Sequence, residues 1–127
     1  MTDKQKSTLQ ILIVDDAGEV REGLRTALTM SSTIEIAGEA ANGLEAIRQV
    51  EALHPDVVLM DLEMSHMDGY EATRQIKSRN PDCRIIALTV HDYDTARNKA
   101  LEAGVDGFIV KGTSIQSLLQ AILSRKE

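Results

Sequence analysis

Five strand signatures, each followed by a helix signature, predict a doubly wound α/β sandwich built on a parallel sheet. Three observations carry that expectation. The runs Ile11-Leu12-Ile13-Val14 and Val57-Val58-Leu59-Met60 are wholly apolar and contain β-branched residues, as strands covered on both faces require. Between the strand runs, apolar residues recur at spacings of three and four. No repeat, low-complexity tract or linker breaks the alternation. Residues 9–124 therefore read as one domain, with a polar, aperiodic tail at 1–8 and a short C-terminal end at 125–127.

In chain order, the first strand covers about residues 9–14. Val20, Leu24, Ala27 and Leu28 then predict an amphipathic helix over Ala17–Met30, ended by Ser31-Ser32. Ile34 to Gly38 alternates apolar with polar residues, as a strand nearer the sheet edge does. Asn42 suits an N-cap for a helix carrying Leu44, Ile47, Val50 and Leu53. His54-Pro55 stops that helix, because the residue before proline is pushed towards extended geometry.

The third strand runs into Asp61, and the loop 62–69 closes on the turn-forming pair Asp68-Gly69. Tyr70 to Lys77 reads as a helix with Tyr70, Thr73 and Ile76 or Lys77 on one side. Asn80-Pro81 ends that region ahead of the strand Arg84–Leu88. A less apolar helix is expected over His91–Ala103, with Asp92 and Asp94 near its start and Gly104 as its C-cap. The fifth strand covers about 106–110. Ile115, Leu118, Leu119, Ile122 and Leu123 form the strongest apolar stripe, on the last helix.

Composition narrows the function classes. Hydrophobic residues at 43% and charged residues at 27% describe an ordinary globular chain of 127 residues, not a disordered one. A net charge of −6 argues against direct nucleic-acid contact by this segment. The three aromatic residues, Tyr70, Tyr93 and Phe108, offer little for base stacking. Cys83, the single cysteine, fits a reducing cytoplasm and excludes an internal disulfide. No apolar run approaches membrane-spanning length and no signal-peptide pattern is present.

The strand ends carry the chemistry. Strand one ends in Asp15-Asp16, strand three in Asp61, strand four in Thr89 and strand five in Lys111. In open α/β sheets ligands bind at the carboxyl ends of the strands. Two unit charges about 4 Å apart repel by roughly 4 kcal/mol at an effective dielectric near 20. Three gathered carboxylates therefore call for a counter-charge, a proton or wide separation. Mg²⁺, a hard oxygen-seeking cation, is the natural partner. Lys111 and Thr89 could each donate to a phosphoryl oxygen, and an aspartate can attack phosphorus to give an acyl phosphate. Each residue alone has an ordinary explanation: a helix cap for the Asp pair, a solvated lysine, a turn threonine. Their joint placement at four strand ends favours the functional one.

The motifs LIVDD, VVLMDLEM, ALT and GFIVK, spread from about Leu9 to Leu123, resemble the receiver domain of bacterial two-component response regulators. AGEAANGLEAI and LEAGVDGFIVKG are similar to the NarL/FixJ-type subgroup, whose members usually carry a fused helix-turn-helix DNA-binding domain. The resemblance implies a (βα)5 flavodoxin-like fold and a phosphorylation-controlled switch. Asp61 would be the phospho-acceptor, with Asp15 and Asp16 organising Mg²⁺, Asp61 also ligating it, and the backbone carbonyl of Glu63 completing the protein ligands. Thr89 and Lys111 would contact the phosphoryl group. Phe108 would be the aromatic that moves inward as Thr89 shifts, although core packing alone would also account for it. A sensor histidine kinase or phosphotransfer protein would be the donor, and the surface of helix four, strand five and helix five the output. Dimerisation on phosphorylation is a further implication.

The chain departs from the family pattern at four positions. Ser65 stands where proline is common, Gly112 follows the lysine where a cis-prolyl bond is frequent, and Val90 is bulkier than the usual small residue after the threonine. Glu63 lies where side chains tune acyl-phosphate hydrolysis. Other classes are weaker. A Mg²⁺-dependent phosphatase with an aspartate nucleophile wants Asp-x-Asp after its first strand, and a nucleotide or flavin module wants a Gly- or Thr-rich loop there. A receiver-like interaction domain that is never phosphorylated would not need the five polar residues. His54, His66 and His91 lack metal-ligand spacing and read as surface residues. Cys83 reads as inert, and Met64 and Met67 as loop packing.

Overall fold

The sheet is organised around β3 (Val57–Asp61), whose five residues are all buried. A computed structural model describes residues 8–64, 67–90 and 94–124; residues 1–7 of the expected tail at 1–8, Ser65, His66, residues 91–93 and the end at 125–127 lie outside them. The elements are β1 (Leu9–Val14), α1 (Gly18–Leu28), β2 (Ile34–Ala40), α2 (Gly43–Leu53), β3, α3 (Gly69–Arg79), β4 (Arg84–Thr89), α4 (Asp94–Ala103), β5 (Gly107–Val110) and α5 (Ile115–Leu123). All strands are parallel, in the order β2-β1-β3-β4-β5. This is the doubly wound (βα)5 flavodoxin-like sandwich that the alternation predicts.

Strand alternation divides the core in two. Leu12, Val14, Val58, Met60, Ile85 and Ala87 face α2, α3 and α4, meeting Ala46, Val50, Ala72, Ile76 and Ala100. Ile11, Ile13, Val57, Leu59, Ile86 and Leu88 face the other way, towards Leu28 of α1 and Leu118 and Ile122 of α5. Each fully buried Leu or Ile side chain contributes roughly 1.5–3 kcal/mol relative to exposure.

Local chemistry sets the helix ends. Asn42 caps α2 as expected, accepting from the Glu45 amide at 2.8 Å, while Glu45 accepts from the Ala41 amide at 2.7 Å. Asp68 accepts from the Glu71 amide at 2.9 Å, so α3 starts at Gly69, one residue earlier than its apolar pattern suggests, and runs on to Arg79. Gly104, at φ 110°, takes the left-handed C-cap of α4, as expected. Arg84 of β4 donates to the carbonyl oxygens of Ile122 (2.8 Å) and Ala121 (3.2 Å), closing the end of α5, whose last turn has no basic residue.

Several expectations are corrected. α1 ends at Leu28 and not Met30; the Thr29 hydroxyl bonds back to the Arg25 carbonyl at 2.7 Å, and Met30 is exposed. Leu44 and Leu53 do not share the buried face of α2: small Gly43 and Ala46 take it with Ile47 and Val50, leaving both leucines partly exposed. His54 is left-handed (φ 49°, ψ 58°) and not extended before Pro55, because its amide closes α2 onto the Val50 carbonyl at 2.9 Å. β2 continues to Ala40, pairing with β1 past a register shift at Ile11/Leu12. β5 starts one residue late, since Asp106 spends its carboxylate on Lys77 and the Ile85 amide, each at 2.9 Å. On α5, Ile115 and Leu123 are exposed and only Leu118 and Ile122 are fully seated. The described part of α4 begins at Asp94; the three residues expected ahead of it lie outside the described chain.

Candidate functional site

The strand order β1-β3-β4 places Asp15, Asp61 and Thr89 side by side. Val14 pairs with Met60, so Asp15 and Asp61 are each the next residue along; Asp61 pairs with Leu88, and Thr89 pairs with Val110. Lys111 follows directly, its amide bonded to the Thr89 carbonyl at 2.7 Å. All five residues named from the strand ends thus meet at one edge of the sheet. Asp15, Asp61 and Thr89 are buried, Lys111 is half-buried and Asp16 is exposed.

Asp15, Asp16 and Asp61 each bring one carboxylate oxygen within 4.8 Å of the others. An all-oxygen donor set of this charge suits a hard divalent cation such as Mg²⁺ and does not suit a soft metal. Within the chain, Lys111 supplies the counter-charge. Its Nζ lies 2.9 Å from Asp15 Oδ2 and 3.5 Å from Asp61 Oδ1. The other Asp15 oxygen accepts from the Ala17 amide at 2.9 Å, and Asp61 Oδ1 accepts from the Glu63 amide at 3.1 Å.

These neighbours shift the protonation equilibria. Burial pushes the Asp61 carboxyl up to about 6, opposed by the Glu63 amide; the charge of Asp15 adds to the rise, Lys111 opposes it, and Asp16 adds further. Burial pulls Lys111 down, but its hydrogen bond to Asp15 and the charge of Asp61 outweigh that, so its ammonium is held above its ordinary value. A buried carboxylate poised in this way can act as an oxygen nucleophile once a cation sits beside it.

Thr89 and Phe108 lie on the same face of the sheet. Ala87 pairs with Phe108, and Thr89 is two residues further along the same strand. Phe108 is half-buried against the α2–α4 core, with the Arg97 guanidinium carbon 4.5 Å from its ring centroid. Glu63 is exposed at the rim, as is Val90. Met64 and Met67 pack on the core, and His54 is exposed, as expected. Cys83 is buried, and burial pushes its thiol up to about 11.

Two features of the site escaped sequence reasoning. In the sequence Gly69 reads as the second residue of a turn pair. Its role is steric: a β-carbon there would lie 2.3 Å from the Asp61 carbonyl oxygen and 2.8 Å from Leu62 Cα. Arg21, an ordinary charged residue of α1 by sequence, donates to the Asp15 carbonyl at 2.8 Å. No sequence signal marks it, because its anchor Glu39 lies on β2, brought alongside only by the sheet.

Known proteins are similar to this chain in sequence and in fold. Residues 11–123 match the response regulator receiver domain family. The response regulator protein VraR of Staphylococcus aureus is 44% identical over 115 residues, covering 91% of this chain and 55% of that protein. The chain thus spans about half the length of such curated relatives. Among solved structures, a LuxR-family two-component response regulator from Aurantimonas sp. SI85-9A1 superposes with TM-score 0.87 at 38% identity, covering 91% of this chain and 83% of that one. The signal receiver domain of the response regulator NarL from Mycobacterium tuberculosis gives 0.88 at 30% identity, covering 93% and 95%. With the family match running from Ile11 in β1 to Leu123 at the end of α5, the chain belongs to the response regulator receiver domains of two-component systems, among relatives of the NarL and LuxR kind.

Proposed function

We propose that this chain, over residues 9–124, is a phosphorylation-controlled switch in which Asp61 accepts a phosphoryl group from a histidine kinase or phosphotransfer protein. The observation that carries this reading is the convergence of three carboxylates within 4.8 Å, with Lys111 bridging Asp15 and Asp61. An Asp61 carboxylate oxygen attacks phosphorus; the new O–P bond forms as the N–P bond of the phosphohistidine breaks, and the electron pair and a proton go to the departing imidazole. Asp15, Asp16 and Asp61, with the Glu63 backbone carbonyl, would hold Mg²⁺, which when bound offsets charge on the transferring group. Lys111 and the Thr89 hydroxyl donate to phosphoryl oxygens.

Phosphorylation draws Thr89 and Lys111 towards Asp61, and Phe108, on the same face, follows. The surface of α4, β5 and α5 then changes its preference for partners, a second copy among them. Coupling of this kind amounts to about 1–3 kcal/mol. The chain is a phospho-acceptor that promotes its own phosphorylation and dephosphorylation, working in the cytoplasm. Its output is transcription through a fused or separate DNA-binding partner. This segment itself, at net charge −6, makes no nucleic-acid contact. Among the described residues no helix is long and apolar enough to cross a membrane.

The test is intact-protein mass after incubation with Mg²⁺ and acetyl phosphate, beside Asp61→Asn. One added phosphoryl group, dependent on Mg²⁺ and absent from the variant, is expected. Equal labelling of the variant would place the acceptor elsewhere.

A further inference from the structure

We propose that Arg21 is a positioning residue for the divalent-cation site, fixing the peptide between Asp15 and Asp16 so that both carboxylates face the cation. The proposal rests on reading that site as a Mg²⁺ site. Arg21 lies on α1, one turn beyond Ala17, and uses its guanidinium in two directions. Nη1 donates to the Asp15 carbonyl oxygen at 2.8 Å, and Nε donates to Glu39 Oε1 at 3.0 Å. Glu39 is itself fixed, its second oxygen accepting from Arg25 Nε at 2.7 Å.

The Asp15 carbonyl belongs to the same peptide plane as the Asp16 nitrogen. A bond to that oxygen therefore restrains the direction in which Asp16 leaves the backbone. Asp16 needs the restraint more than Asp15 does. Lys111 and the Ala17 amide hold the Asp15 carboxylate, whereas no side-chain hydrogen bond among the described residues holds Asp16. The start of α1 gives no help, because Ala17 at the N-cap has no side chain able to cap. A planar guanidinium can span a carbonyl and a carboxylate at once; a lysine ammonium on a flexible stem holds that pair less firmly.

The competing account is electrostatic, and it predicts the opposite sign. A bare cation near a cation site repels Mg²⁺, so its removal would tighten binding. Glu39 is shared between Arg21 and Arg25, so the three side chains together keep one positive charge, and the sign of the change in affinity separates the two accounts.

The experiment is calorimetric titration of Mg²⁺ into the full chain, its Arg21→Met, Arg21→Lys and Arg25→Met variants, with circular dichroism to verify folding. Loss of groups that orient metal ligands typically weakens affinity about 10–100-fold. Arg21→Met is expected to weaken Mg²⁺ binding by about tenfold or more, and Arg21→Lys and Arg25→Met, which acts only through Glu39, by clearly less. If Arg21→Met does not fold, Arg21→Lys decides on the same sign. Unchanged or tighter binding in the folded Arg21 variants overturns the proposal, as does equal weakening in Arg25→Met. Absence of Mg²⁺ binding by the unaltered chain overturns the Mg²⁺ reading itself, and the positioning role with it.

Discussion

Lys111 and Asp15 are joined across the edge of the sheet by a 2.9 Å ion pair, although 96 residues separate them in sequence. Asp15 is 1% exposed, so removing the Lys111 ammonium would leave a buried carboxyl group without its ion-pair partner. Lys111→Met should therefore destabilise the metal-free chain by about 2–3 kcal/mol, below the roughly 3–5 kcal/mol of a fully buried pair because Lys111 is partly exposed. Mg²⁺ should recover part of that loss by supplying a replacement charge. Urea unfolding with EDTA and with Mg²⁺ checks both statements, and an Mg²⁺-independent deficit would contradict the second.

Asp61 should make stability depend on pH in the direction opposite to an ordinary salt-bridged aspartate. Its folded pKa is raised from 3.8 to about 6. The folded state thus binds the proton more tightly, and this group's contribution is fully present below the unfolded value. It is lost as pH rises through the folded value, about 3 kcal/mol in all. Asp61→Asn should then be more stable than the parent by about 2–3 kcal/mol at pH 7.5 in EDTA, with the advantage gone near pH 4. An equal gain at both pH values would assign the effect to packing instead of charge.

Gly69→Ala should disturb Asp61 through the backbone alone. The added β-carbon would meet the Asp61 carbonyl oxygen at 2.3 Å, a contact that only backbone movement can relieve. Overpacking of this sort costs about 1–3 kcal/mol. Denaturant unfolding reads that cost, and slower labelling by acetyl phosphate is expected beside it. Gly23→Ala, with open space around its β-carbon, is the matched control.

Cys83 should be silent towards alkylating reagents in the folded chain. It is buried, and its thiol is pushed up to about 11, which leaves little thiolate at pH 8. Mass spectrometry after iodoacetamide treatment should find no adduct without denaturant and one adduct in 6 M guanidinium. Rapid labelling of the native chain would show that the thiol becomes exposed without global unfolding.

The strand runs and the polar residues ending them could be read directly, because a strand buried on both faces leaves a wholly apolar run and the site sits where each run stops. Asp15, Asp61, Thr89 and Lys111 needed only the further assumption of parallel neighbouring strands. Helix faces were less readable. Leu44 and Leu53 have the right spacing for a buried stripe, but close approach of the loop carrying Met67 admits only a glycine at Gly43, and the buried face runs from there through Ala46, Ile47 and Val50. The partnership of Arg21 with Glu39 was invisible because it spans α1 and β2, and Gly69 looked like a turn residue because its neighbour across space is not its neighbour in sequence. Contacts between distant segments left no local pattern to read.

The ion pair between Lys111 and Asp15 also bears on the order in which the molecule assembles. β1 is delivered first yet sits between β2 and β3, and β5 must be in place before Lys111 can reach back. Closing a flexible loop of 96 residues from an open chain costs about 4 kcal/mol in entropy beyond a constant. That cost falls only when β3 and β4 have already docked and shortened the effective path. A nascent chain that lacks its last thirty or so residues can pair β1 with β2 and β3, but its acids remain without their lysine, a stretch of uncompensated charge at the rim of a half-made sheet. Chemical competence therefore arrives late, with the final strand, and a truncation before β5 should yield a partly ordered protein with no working site.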